Sequence, residues 1–178
     1  SVERAYGYCE EFARAHTESF PLASRFVPAE VRPHLIALYA FARSADDFAD
    51  EPQYEGRRVE ALDRWEDELA RACHGEATHP VFVALADTIE RRDLSIPPLE
   101  DMLSSFRADI EVKRYATYQA LRAYTARSAD PVGRLLLALF GYRQPELVRD
   151  ADEISTALQL TNFWQDVESD WHRGRLYM

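Results

Sequence analysis

Arg43-Ser44-Ala45-Asp46-Asp47-Phe48-Ala49-Asp50 closes a stretch that holds neither glycine nor proline after Pro33. Upstream, Leu35, Leu38, Tyr39 and Ala42 recur every three or four residues, so the reading is a helix from about Pro33 to Asp50 with Pro33 in its first turn. Asp46 and Asp50 stand four residues apart, hence on one face. Like charges so placed repel, and a bound cation is one good reason to tolerate them. Tyr39, Arg43, Asp46 or Asp47, and Asp50 follow one another at helical steps, and an aromatic hydroxyl, a guanidinium and two carboxylates do not make a core face. The ordinary alternative is a solvated face with an Arg43–Asp47 i,i+4 pair worth about 0.3–0.5 kcal/mol.

The same spacing returns in Asn162-Phe163-Trp164-Gln165-Asp166-Val167-Glu168-Ser169-Asp170. Gln159, Asn162, Asp166 and Asp170 form a polar stripe flanked by Leu158, Leu160, Phe163 and Trp164. On a buried helix such a stripe lines a cavity, since leaving it unpartnered costs on the order of several kcal/mol. On an exposed helix it is one solvated face. If the two acidic helices face each other, four carboxylates converge, with Asn162 adding a neutral oxygen. Hard divalent cations take such ligands, and diphosphates need such cations, so the pattern points to diphosphate chemistry.

Working outward, helices are expected over Tyr6–Phe20, Arg57–Cys73, Pro80–Arg91, Leu99–Arg114 and Thr117–Ser128. His74-Gly75 ends the second of these and Thr117 caps the last. Asp130-Pro131 reads as a break or kink before a very apolar helix, Val132–Phe140, expected to pack centrally. A last long helix is expected from Leu147 to about Trp171. No repeat of 20–50 residues and no low-complexity tract is visible. The chain therefore reads as one all-α domain, residues 1–178, of roughly seven to nine helices.

Composition narrows the function. A net charge of −10 argues against a nucleic-acid binder, and against direct binding of an anionic substrate without metal ions to reverse the local sign. No run of 18 apolar residues suggests a membrane span. Cys9 and Cys73 make no disulfide framework, and a reducing cytoplasm fits them. There is no nucleophile–base–acid set, no zinc spacing and no glycine-rich phosphate loop. His16 and Ser19, in Arg14-Ala15-His16-Thr17-Glu18-Ser19-Phe20-Pro21, read equally as a helix end with a partly buried histidine. The chain stops at Arg173-Gly174-Arg175-Leu176-Tyr177-Met178, directly after the second aspartate pair, and a truncated chain is expected.

These residues together resemble the squalene/phytoene synthase family of isoprenyl diphosphate enzymes. The marks are His16-Thr17-Glu18-Ser19-Phe20, Leu38-Tyr39-Ala40-Phe41-Ala42-Arg43 with the first aspartates, Asp109-Ile110-Glu111 to Tyr115 with Tyr124, and Gln159-Leu160-Thr161-Asn162 through Asp170 to Tyr177. The resemblance implies an isoprenoid-synthase-type helical bundle around a central cavity, here without the family's C-terminal helices. It implies Mg2+ held by Asp46, Asp50, Asp166 and Asp170 with Asn162 assisting, and diphosphate met by Arg43. Tyr39 and Tyr124 would line the reacting centre, His16, Ser19 and Phe20 the entrance, and Gln159 the substrate side of the second helix.

Within the family the likeness is greatest to the hopanoid-pathway branch that turns presqualene diphosphate into hydroxysqualene. Head-to-head condensation of two prenyl diphosphates is the alternative, and a non-catalytic prenyl-lipid-binding or helical interaction protein is the rival from another class. Two departures stand out: Gln165 where many relatives have arginine, and Ala129-Asp130-Pro131-Val132-Gly133 where condensing enzymes show Ala-Gly-x-Val-Gly. The implied partners are a prenyl diphosphate, the inner membrane surface as a peripheral contact, and neighbouring pathway enzymes.

Overall fold

The computed structural model describes residues 1–16 and 27–177. Among the described residues nine α-helices and one short 3-10 turn form two compact units, treated separately below. The first comprises Ser1–Ser95 with Leu139–Gly141, the second Ile96–Ala138 with Tyr142–Met178.

In the first unit, α1 (Val2–Ala15), α3 (Arg58–Cys73) and α4 (Pro80–Arg92) all pack on α2 (Arg32–Asp50), with the 3-10 turn at Pro52–Tyr54. Helix α2 begins within one residue of expectation and ends on it, and Pro33 lies in its first turn, where a missing N–H leaves no gap in the ladder. Ten of its nineteen residues are buried, including Leu35, Leu38, Phe41, Ala45 and Ala49. Phe41 meets Phe82 edge-on at 5.8 Å, and Phe82 meets Trp65 at 4.5 Å. Trp65 Nε1 donates to the Phe41 carbonyl at 3.2 Å, giving the indole its polar partner. Gly75, at φ +74°, follows the end of α3 as the sequence indicated. Helix α1 starts four residues earlier than expected; its expected end near Phe20 lies outside the described residues.

The second unit is built from α5 (Pro97–Glu111), α6 (Tyr118–Ser128), α7 (Asp130–Leu139, its last residue grouping with the first unit), α8 (Pro145–Gln165) and α9 (Val167–His172). Thr117 Oγ1 accepts from the Ala120 N–H at 3.1 Å, the expected N-cap. Helix α5 stops at Glu111, three residues short of expectation. Val112 turns extended, and the Lys113 carbonyl accepts from the Leu176 N–H at 2.8 Å.

The expected break before α7 is present: α6 ends at Ser128, and α7 begins at Asp130, two residues earlier than expected. Asp130-Pro131 forms the first turn of α7, where proline fits. The Asp130 side chain is only 1% exposed. It accepts from Thr156 Oγ1 at 2.8 Å and pairs with Arg122 at 2.9 Å, tying α6, α7 and α8 together. Helix α7 is not buried all round: Pro131 and Leu135 are covered, while Val132 is 40% exposed. Close approach to α8 depends on Gly133, where an added Cβ would lie 2.5 Å from Ser155 Oγ and 3.2 Å from the Ala151 carbonyl oxygen.

Candidate functional site

Helix α2 presents one partly accessible stripe on an otherwise buried cylinder. Tyr39, Arg43, Asp46, Asp47 and Asp50 are all half-buried, while Phe41, Ser44, Ala45 and Ala49 are covered. The stripe is the polar face the spacing marked out. Its aspartates are not equivalent. Arg43 Nε lies 2.8 Å from Asp47 Oδ1, whereas Arg43 Nη1 lies 3.5 Å from Asp46 Oδ2. The Asp46 side chain is 44% exposed and that of Asp47 only 15%. His16, at the end of α1, reaches Asp47 Oδ2 with Nε2 at 3.2 Å. Its Nδ1 donates to the Phe12 carbonyl at 2.8 Å, and its ring packs on the Phe12 ring at 4.2 Å. The expected Arg43–Asp47 pair therefore exists, as one arm of a three-residue cluster. Ser19 and Phe20 lie outside the described residues.

The second aspartate pair sits in a different setting. The expected single helix divides at Asp166, the C-cap of α8 and N-cap of α9. The turn is conserved in hydrogen bonding all the same: Asp166 N–H donates to the Asn162 carbonyl at 2.9 Å and Asp170 N–H to the Asp166 carbonyl at 2.8 Å. Asn162 and Asp166 are exposed, Gln159 and Asp170 half-buried. Of the two alternatives for this stripe, its neighbours match the exposed helix: Leu158 and Trp164 are 62% and 64% exposed.

Tyr124 lies beneath, in an aromatic cluster of the second unit. It stacks with Tyr177 (6.0 Å, 5° between planes) and packs near Tyr115 and Phe163. Burial raises its phenol well above the ordinary range, and the hydrogen-bonded Asp109 carboxylate adds to the effect. Tyr115 is pushed up to about 12 by burial and by Asp109, and Tyr177 shifts the same way for the same reasons. The three phenols thus stay protonated, as aromatic surfaces with hydroxyl donors rather than bases. Asp109, Tyr115 and Tyr177 were noted as family marks and not as site residues. Only their packing around Tyr124 sets them apart.

A cleft of about 990 Å³ in the first unit is lined by Tyr6, His34, Asp87 and Arg91, among others, and by none of the aspartates above. No spacing or motif in the sequence marked it. Tyr6 Oη there donates to Asp87 at 2.8 Å and lies 2.9 Å from His34 Nδ1 and from Thr88 Oγ1, a polar pin through α1, α2 and α4. Among the described residues no three of His, Cys, Asp and Glu are gathered as a metal-holding group. The donor types nevertheless suit a hard cation: each Asp-x-x-x-Asp pair offers carboxylates with water access and no thiolate. Among the described residues no helix is long and apolar enough to cross a membrane.

A family model described as squalene/phytoene synthase matches residues 13–178. The chain is 33% identical to a phytoene synthase of Arthrospira platensis, over 98% of its own length and 60% of that relative's. Among solved structures, squalene synthase HpnC from Alicyclobacillus acidocaldarius superposes with a TM-score of 0.92 at 42% identity, covering 98% of this chain and 66% of that one. A dehydrosqualene synthase solved with a ligand follows at 0.88 and 31%, covering 99% and 61%. The chain thus spans about three-fifths of the length of these relatives.

Proposed function

Because the chain belongs to the squalene/phytoene synthase family, we propose that the protein is a magnesium-dependent isoprenoid synthase of the hydroxysqualene-forming kind. It takes presqualene diphosphate and water and releases hydroxysqualene and diphosphate. The observation that carries this reading is the 42% identity to the HpnC enzyme, set against 33% to the Arthrospira phytoene synthase. In the reaction the C–O bond to diphosphate breaks with its electron pair, the cyclopropane opens, and water adds to the cation and gives up one proton.

In this reading Asp46 and Asp50 on α2, and Asp166 and Asp170 at the α8–α9 junction with Asn162, supply the magnesium ligands. Magnesium would neutralise charge developing on the leaving group, which stabilises the transition state more than the ground state. Arg43 holds the diphosphate, and His16, Ser19, Phe20 and Gln159 contact the substrate. Tyr39 and Tyr124 face the cation with their rings, an attraction worth about 0.5–2 kcal/mol each where water is excluded. The protonated state of Tyr124 suits that role, since a phenolate would capture or deprotonate the cation. Work at the cytoplasmic membrane surface follows from the hydrocarbon substrate.

Head-to-head condensation is the second reading, favoured by the dehydrosqualene synthase likeness. Incubating the full-length protein separately with presqualene diphosphate and with farnesyl diphosphate decides between them. The proposal expects hydroxysqualene from the first; consumption of farnesyl diphosphate alone overturns it.

A further inference from the structure

We propose that Thr156 is a positioning residue: its hydroxyl, gripped by Asp130, sets the rotation of α8 and so the direction in which Gln159, Asn162 and Asp166 project. The inference rests on the function proposed above, which assigns those three residues to substrate and metal, and it lies wholly within the second unit. Only two residues of α8 are buried, Thr156 and Phe163. They stand seven positions apart, which is two turns and about 10 Å along one line of the helix. Gln159, Asn162 and Asp166 lie roughly 60–120° round the same cylinder. The helix is anchored along one edge, and whatever fixes that edge fixes where the polar stripe points.

The two anchors differ in kind. Phe163 rests against Tyr124 and Tyr177 with ring centroids 6.2 and 4.7 Å away. Apolar contact of that sort has little direction and tolerates a small rotation. Thr156 Oγ1 instead donates to Asp130 Oδ1 at 2.8 Å and lies 3.2 Å from Thr125 Oγ1. Such a bond weakens steeply as it leaves its axis. Asp130 cannot follow a turning helix, because it is buried in the first turn of α7 and its Oδ2 is paired with Arg122 Nη2 at 2.9 Å. Threonine is stiff at χ1, so a rotation of α8 passes straight to the hydroxyl. Arg134 also ties α7 to α8, through Asp152 at 2.8 and 2.7 Å, but its long, partly exposed side chain can move with the helix. A 10° turn of α8 would carry a carboxylate about 6 Å from the axis through about 1 Å. A displacement of about 1 Å is enough to cost about 100-fold in rate.

The test follows turnover of presqualene diphosphate by the full-length protein against Mg2+ concentration, or of farnesyl diphosphate if that alone is consumed, with melting temperature read on the same samples. Thr156→Val keeps the shape and removes the hydroxyl. It is expected to lower kcat about 10- to 100-fold and to raise the half-saturating Mg2+ concentration at least about threefold. Thr156→Ser restores the hydroxyl and should bring both to within about threefold of wild type. Asp152→Asn weakens the other tie without touching Thr156, and is expected to lower the melting temperature while kcat and the Mg2+ response stay at wild-type values. Should Thr156→Val fail to fold, Asp130→Asn keeps the volume, weakens the acceptor and is expected to lower kcat about 3- to 10-fold with the same Mg2+ shift. Wild-type kcat and Mg2+ response in whichever of these two variants folds overturns the proposal. So does a loss in Asp152→Asn that matches it, or a Thr156→Ser variant that rescues nothing. A wild-type protein that consumes neither diphosphate at any Mg2+ concentration overturns the function reading itself and takes this proposal with it.

Discussion

The two aspartate motifs share a spacing and almost nothing else. Asp46 and Asp50 ride on a helix with ten buried residues, next to an arginine and a histidine that both lie against Asp47. Asp166 and Asp170 straddle the end of one helix and the start of another, beside tryptophans at Trp164 and Trp171 that are more than 60% exposed. The first motif is pre-organised by its own unit. The second is held by backbone hydrogen bonds and by what lies under it. Spacing puts two carboxylates on one face; burial decides how firmly they stay there.

The sharpest way to break that comparison is to cut the support beneath each motif. Phe41→Ala, at a fully buried position of α2, should cost about 3–5 kcal/mol of stability. Trp164→Ala beside the second motif should cost within about 0.5 kcal/mol in this chain. Denaturant midpoints read both, and equal losses would remove the distinction. Next in size is Asp130→Ala, which strips a buried carboxylate from Thr156 and Arg122; about 3 kcal/mol is expected, toward the lower end for buried pairs because Arg122 is partly exposed. Hydrogen exchange should then rise in α6 to α8 with α2 protected. Loss of protection spread over all helices would contradict the separation.

Much of this was legible in the sequence and some could not be. Thr117 and Pro33 act through local backbone chemistry, so the residues alone placed them. The division at Asp166 escaped because the i,i+4 hydrogen bonds persist on both sides, leaving the apolar period unbroken. The exposure of Leu158 and Trp164 escaped for another reason: periodicity reports which face is apolar, not whether anything covers it. Asp47 and Asp130 owe their roles to partners 26 to 31 residues away, which no local pattern encodes.

A smaller effect tests the close approach of α7 to α8 within the second unit. Gly133→Ala should cost about 1–3 kcal/mol by pushing α7 from α8, and adding Ser155→Ala should recover part of it by removing the nearest atom. No recovery in the double variant would place the strain elsewhere. The smallest effect concerns the first unit and pH. Burial holds the pKa of His34, and likewise that of His79, below the ordinary value of about 6.5. The unfolded chain therefore binds more protons as the solution acidifies. This contribution to stability is intact above about pH 6.5 and is lost as pH falls through the lower folded values. Melting temperature followed from pH 7 to 5 should fall, and less steeply in a His34→Gln variant; identical slopes would count against it.

The central proposal is that each aspartate pair is needed for magnesium-dependent turnover. Its most direct test is steady-state turnover of full-length protein on presqualene diphosphate with Mg2+, comparing wild type with Asp50→Asn and Asp166→Asn. The account predicts that each substitution alone lowers kcat/KM by at least about 100-fold and raises the Mg2+ concentration needed for half-maximal rate. Wild-type turnover and Mg2+ dependence in both variants would contradict it.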